Sequence, residues 1–353
     1  MMKTFIIAAD RIIDSVGAHQ DTNNTLNQAR KKKLIVAALE ILSLAQGAKD
    51  KKKPHEFKSG ASAMAAIERA RNILSIKKAD IVLIKGQDFL KTGYDPNERK
   101  EFMKFYHENC TPLQGYNELV PHFLQKYKLD EKEYFRIRDA LFENYTKTWK
   151  KINPANSMPH EKWYQPLTEY FRGVDCANPN IDFSGQLILS TEKAADVLNI
   201  PQKARVEILG NSFVKINLKG VASLPKIATY HHLKRAINIA IAQAKINFKD
   251  KFMNEEALLD SYTCYPIVPM ALLYRLGLVN SLTEIPDLLN SYEVTVTGGL
   301  NLGKAPWSLT SLNALIVMWE RLISSNKAKF GLVHGNGLFG NQQGITILKN
   351  NCL

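Results

Sequence analysis

Apolar residues near the start of the chain come in short runs separated by stretches of helical patterning. Residues 4–9 (Thr-Phe-Ile-Ile-Ala-Ala) lie between Lys3 and Asp10, a run short enough for a buried strand. Residues 26–45 read as a helix, with Thr25 placed to cap it. A second helix follows the break at Pro54, with Ala61, Met64, Ala65, Ile67 and Ala70 as packing residues. It leads into Asp80-Ile81-Val82-Leu83-Ile84, a continuous apolar run of the kind found in strands covered on both faces. Strands alternating with helices predict an α/β fold.

From residue 89 to about 173 the texture changes to long amphipathic stretches, broken at Pro112, Pro121, Pro154, Pro159 and Pro166. This predicts a helical insertion carried by the α/β core. Its aromatic residues, Tyr134, Phe135, Phe142, Tyr145, Trp149, Trp163 and Tyr164, read first as packing and second as a lid or groove. The rhythm then resumes with a strand at 186–189, a helix at 191–198 and a strand at 205–209. The last part carries helices at 231–247 and 267–276, a strand at 292–297, a helix ending at 323, and closing strands at 330–333 and 344–348. The organisation expected is two similar halves, residues 1–88 with 184–203 and residues 204–353, with the insertion at 89–183. No short-period repeat is visible.

With 353 residues, 45% of them hydrophobic, the chain has material for one large or two medium domains, which excludes disorder as its main state. Neither a signal-peptide core nor a run of ~18 apolar residues is present, so a cytoplasmic protein without a membrane span is expected. Cys110, Cys176, Cys264 and Cys352 are scattered without a CxxC pair, which argues against a disulfide framework and against zinc. His231 and His232 are adjacent and cannot face one way on a helix, so no metal is expected there either. The net charge of +13 is spread along the chain, with tight clusters only at 30–33 and 49–53. These read as a solvated helix end and a charged loop, without the focused patch that nucleic acid needs.

Three segments of the C-terminal half carry a family resemblance. Asp260-Ser261-Tyr262-Thr263-Cys264-Tyr265-Pro266, followed by a helix ending Arg275-Leu276-Gly277-Leu278, resembles the Asp-x-Tyr-Ser-Cys-Phe-Pro segment of sterol-carrier-like thiolases and related acetyl-CoA acetyltransferases. Val294-Thr295-Val296-Thr297-Gly298-Gly299-Leu300 and Pro306 resemble their strand, glycine pair and proline-containing loop. Gly331-Leu332-Val333-His334-Gly335-Asn336-Gly337 resembles their last glycine loop, between two closing strands. Earlier matches are looser: Ser59-Gly60-Ala61-Ser62-Ala63, the strand at 80–86, and the turns at Asn153-Pro154 and Val174-Asp175-Cys176. Similarity to the thiolase superfamily implies a duplicated five-layer αβαβα architecture. It also implies a coenzyme A thioester as substrate or ligand with no further cofactor, and a homodimer or a thiolase-like partner subunit. The basic surface suits the phosphates of coenzyme A.

Thiolases place an acyl group on a cysteine thiolate, then use a base and an oxyanion hole to make or break a carbon–carbon bond. In the family the nucleophile begins a Cys-x-Ser-Gly motif at a helix N-terminus. Here that motif reads Phe57-Lys58-Ser59-Gly60, without a nucleophilic atom at its first position. The Gly-His-Pro histidine falls near Lys304-Ala305-Pro306, and the histidine of the His-Asp-Cys-Phe variant falls on Tyr262. Few residues separate Ala45 from Phe57, where the family has several tens. The substitute set is Cys264 as a relocated thiol, His334 as base and Asn336 as oxyanion donor, with Tyr262, Gly298, Gly299, Gly335 and Gly337 against the substrate. The plainer readings are a buried apolar Cys264, a His334 bonded to loop backbone, a packed Tyr262 and glycines that only make turns. Two functions follow: a thiolase-type acyltransferase with a rearranged site, or a silent thiolase-like protein that binds acyl-CoA or a partner subunit. They differ in whether Cys264 and His334 meet and whether Phe57 fills the site; lysines at its mouth would support coenzyme A in either case, and their absence a pure interaction role.

Overall fold

The computed structural model describes residues 2–45, 53–103, 111–155, 157–217, 221–302 and 305–351. Cys110, Cys352, Lys304 and the lysines at 49 and 51–52 lie outside the described residues. The chain begins with β1 (Thr4–Ile13), β2 (Val16–Gly17), α1 (Gln20–Lys31), β3 (Val36–Ile41), β4 (Glu56–Phe57), α2 (Ser62–Ser75) and β5 (Ile81–Phe89). Helices α3 (Pro96–Met103), α4 (Pro112–Tyr127) and α5 (Glu131–Ile152) stand between β5 and β6 (Asp182–Thr191), which runs into α6 (Glu192–Val197). Then come β7 (Val206–Lys215), α7 (Leu224–Ala228), α8 (His231–Ala244), α9 (Phe248–Met253) and β8 (Ala257–Asp260). The chain closes with α10 (Ile267–Leu276), α11 (Ile285–Ser291), α12 (Thr310–Ser324), β9 (Phe330–Gly337) and β10 (Gln342–Asn350). No helix among the described residues is long and apolar enough to cross a membrane.

The strands form one mixed sheet in the order β4-β3-β5-β6-β1-β7-β10-β9-β8, with β2 beside β1. Its middle is the short antiparallel contact of β1 with β7, where Phe5 faces Glu207 and Ile6 faces Val206. Outward from there, β1-β6-β5-β3 and β7-β10-β9-β8 repeat one pattern of two antiparallel pairs and then a parallel one. Helices recur in step, α1 and α8 after the first strand of each arm, α2 and α12 before β5 and β9.

Alternation along the strands builds the layers. Phe5, Ile7, Ile81, Leu83 and Ile188 point outward to Leu26 and Ala29 of α1 and to Ala194 and Ala195 of α6. Their neighbours Ile6, Val82, Ile84, Leu187 and Leu189 point inward to Met64 and Ile67 of α2 and Leu312 and Leu315 of α12. In the other arm, Val206, Ile208, Val333 and Leu348 join this central core, while Leu332, Ile345 and Ile347 face α8 and α10. Helix, first arm of the sheet, helix, second arm, helix is the five-layer αβαβα arrangement, and strands covered on both faces need the continuous apolar runs seen in the sequence.

Three sequence expectations are corrected. Residues 26–45 are not one helix: α1 ends at Lys31, Lys33 turns with φ 56°, and Leu34 N–H closes onto the Ala29 carbonyl. This left-handed close lets Val36 to Ile41 pair with β5. Residues 292–297 are extended but form no strand, because side chains take their amides. Val294 N–H donates to Asn144 Oδ1 at 3.2 Å, and Val296 and Thr297 donate to Asp260 Oδ1 at 2.9 and 3.0 Å. The glycine segment 331–337 is not a loop but β9 itself, and its glycines let helices approach: a Cβ on Gly335 would lie 2.9 Å from Ala61 Cα and from Met64 Sδ.

Candidate functional site

A cavity of about 670 Å³ opens where the N-terminus of α2, the segment before α10, the end of β9 and the helical insertion meet. Gly60, Tyr262, Cys264 and Asn336 line it from the core, and Tyr116 of α4 closes over them. Gly60 admits no side chain, since a Cβ there would run into the Asn336 carbonyl and the Tyr262 hydroxyl. Met158, Trp163 and Leu167 supply an apolar wall from the insertion, and Trp163 (46%) and Leu167 (48%) stay half exposed.

Cys264 is buried, and its polar neighbours are neutral. Its thiol donates to the Tyr116 hydroxyl at 3.7 Å, and its sulfur accepts from Asn336 Nδ2 at 3.6 Å. Asn336 Nδ2 also donates to the Tyr116 hydroxyl at 2.8 Å, which passes its own proton to the Leu338 carbonyl at 3.2 Å. Tyr265 stacks on the Tyr116 ring with centroids 4.1 Å apart. Burial pushes the Cys264 thiol up to about 12, and its hydrogen-bonded surroundings only partly oppose it. Cys176, a second thiol on the wall, is also raised by burial and then by Asp175.

His334 does not reach the cavity. Both protons of Gln343 Nε2 are committed, to Asn336 Oδ1 and to the Gly340 carbonyl, each at 2.7 Å. Gln343 Oε1 therefore faces His334, whose Nε2 must carry the proton and donates at 2.7 Å. The other ring nitrogen, Nδ1, is buried with no partner among the described residues, and burial lowers this histidine to about 4. The imidazole is thus neutral and stands behind Gln343 and Asn336.

The structure brings together Cys264, Asn336 and Tyr262 of the residues singled out from sequence, and leaves His334 one layer back. None of the four glycines lines the cavity, and each lies close against neighbouring groups. Gly298 and Gly299 adopt φ of 78° and 79°, and added Cβ atoms would meet Trp149 Cα at 2.9 Å and Thr263 Oγ1 at 2.8 Å. Gly335 seats α2, and Gly337 lies against Ser59 and Gln342. Phe57 is not on the cavity wall; it pairs with Ile41 and packs into the central core. No lysine stands on the described wall, and its one arginine, Arg99, is turned to the Leu90 carbonyl and Asn180 Oδ1 at 3.1 and 3.0 Å. No group of side chains able to hold a metal occurs among the described residues. Tyr116, Gly60 and Asn301 were not among the residues chosen from sequence; Tyr116 sits in an ordinary amphipathic helix far along the chain from Cys264, with no local signal.

No protein-family model matches the sequence, and no curated protein matches it. Solved structures do match over 99% of this chain. A monomeric SCP2-thiolase-like protein of type 1 from Mycobacterium smegmatis is 16% identical, with a TM-score of 0.72 over 78% of its own length. Human mitochondrial 3-ketoacyl-CoA thiolase is 14% identical, with a TM-score of 0.65 over 99% of its length, and has also been solved in complex with CoA. An Ltp2-ChsH2(DUF35) aldolase is 12% identical, with a TM-score of 0.69 over 98% of its length.

Proposed function

We propose that this chain, which has the thiolase fold, binds an acyl thioester of the acyl-CoA kind in its cavity and leaves the thioester bond intact. The observation that carries this reading is Cys264, a thiol that donates its proton to Tyr116 and is held at about 12 by burial. The thiolate is the nucleophilic form, and at neutral pH a group so raised is ionised only to the order of one part in 10⁵. His334 is separated from it by Gln343 and Asn336. The cavity volume of about 670 Å³ lies inside the usual range for small-ligand sites, roughly 300–1,000 Å³. Its wall is mainly apolar, as an acyl chain requires. The human thiolase solved with CoA supports the choice of ligand.

Calorimetric titration with a series of acyl-CoAs and with free CoA tests this. Saturable binding is expected, tightening by up to about fourfold for each methylene that enters the apolar wall. No binding by any acyl-CoA would overturn the proposal.

Acyl transfer through Cys264 is the second reading. It is favoured by the Asn336 amide and the Tyr116 hydroxyl, both within reach of the sulfur, and it requires a covalent acyl-enzyme.

A further inference from the structure

One polar side chain on the cavity wall has a donor that the protein leaves unused. Asn301 lines the cavity between Leu300 and Leu302 and is 5% exposed. Its Oδ1 accepts from Thr263 Oγ1 at 2.8 Å, and that hydroxyl in turn accepts from Leu300 N–H at 2.8 Å. With a lone pair of Thr263 taken by Leu300, its single proton has Asn301 Oδ1 as its acceptor. The reversed amide would leave that proton without one, so the orientation is fixed and Nδ2 is directed away from Thr263. Among the described residues Nδ2 has no partner. The other amide near the floor of the cavity, Asn336, is by contrast fully used by Tyr116, Cys264 and Gln343.

Nδ2 is not sealed from the cavity, so a ligand's acceptor can take the place of solvent on it. The acceptor's charge is limited by the wall: Arg99 is its one arginine and is already turned to Leu90 and Asn180, and no lysine joins it among the described residues. A carboxylate there would be desolvated without a counter-charge among the described residues of the wall. A carbonyl on an apolar body meets both conditions.

We propose that Asn301 is the polar anchor of the cavity, donating from Nδ2 to the uncharged carbonyl oxygen of the ligand, with Thr263 as its positioning residue. This rests on the thioester-binding reading and specifies which atom of the ligand is recognised.

The test compares octanoyl-CoA with S-octyl-CoA, the thioether that lacks only the carbonyl oxygen. Wild type is expected to prefer the thioester. Asn301→Leu is expected to weaken thioester binding by about 2- to 12-fold and to leave the thioether unchanged, which erases the preference. Thr263→Val, which keeps Asn301 but frees its amide, is expected to reduce the preference, and Thr263→Ser to restore it. The Thr263 pair decides the matter if Asn301→Leu fails to fold in a thermal melt. Equal wild-type affinities for the two ligands, or a preference that survives these variants, would overturn the role of Asn301 alone. Binding of neither ligand by wild type would remove the thioester-binding reading with it.

Discussion

His334 shows how burial decides what a side chain can do. Its folded value of about 4 lies below the ordinary 6.5 because desolvation penalises the imidazolium, so the folded state holds this group neutral. The unfolded chain takes up the proton first as pH falls. The stabilisation is therefore present above pH 6.5 and lost down to about pH 4, on the order of 3 kcal/mol in all. Asp88 and Asp260 work in the opposite direction: burial raises both to about 6, so their contribution is present at low pH and lost as pH rises toward 6. Chemical denaturation of wild type and His334→Asn across pH 4 to 7 separates these terms, since the carboxyls are common to both. The wild-type minus variant stability is expected to fall as the solution is acidified; a difference independent of pH would contradict the buried neutral imidazole. The sequence placed Cys264, Tyr262 and Asn336 in the site because they lie in motifs with local spacing. It does not place His334, which lies two residues from Asn336 on the same face of β9 and is kept from the cavity by Gln343 of the neighbouring β10, a cross-strand contact with no local signal.

The elements most legible in the sequence are those buried on both faces, β1, β5 and β6, whose apolar runs have no other explanation. Those least legible depend on partners far along the chain. The extended stretch before Gly298 is held by Asp260 and Asn144, and no periodicity records that Asn144 of α5 is its partner. Gly298 has a place in the same seam. Its φ of 78° and the 2.9 Å approach of a Cβ to Trp149 make Gly298→Ala both strained and crowded. A loss of roughly 1–3 kcal/mol is expected in denaturant unfolding, with α5 as the element displaced. A neutral outcome would show that the insertion does not depend on this contact.

Across the whole molecule, the repeated strand order follows from two arms joined at β1 and β7, and the cavity lies where the insertion of the first arm meets the glycine-bearing strand of the second. We take residues 1–88 with 184–203, and residues 204–353, as the two halves that this order proposes. β3 lies near an outer edge of the sheet: β4 covers it only at Glu40 and Ile41, and Ile35 and Val36 are 58% and 36% exposed. An apolar edge of this kind invites pairing, and we propose it as the seam of a homodimer. Light scattering should then give about twice the chain mass of 39.8 kDa, reduced to the monomer by Ile35→Lys, and a monomeric wild type would contradict it. The thioester-binding reading itself stands on the inert state of Cys264. Intact-protein mass spectrometry after saturation with octanoyl-CoA should show unmodified protein in wild type and in Cys264→Ala, with calorimetry confirming that ligand is bound. An added octanoyl mass in wild type that disappears in Cys264→Ala would contradict it and establish an acyltransferase.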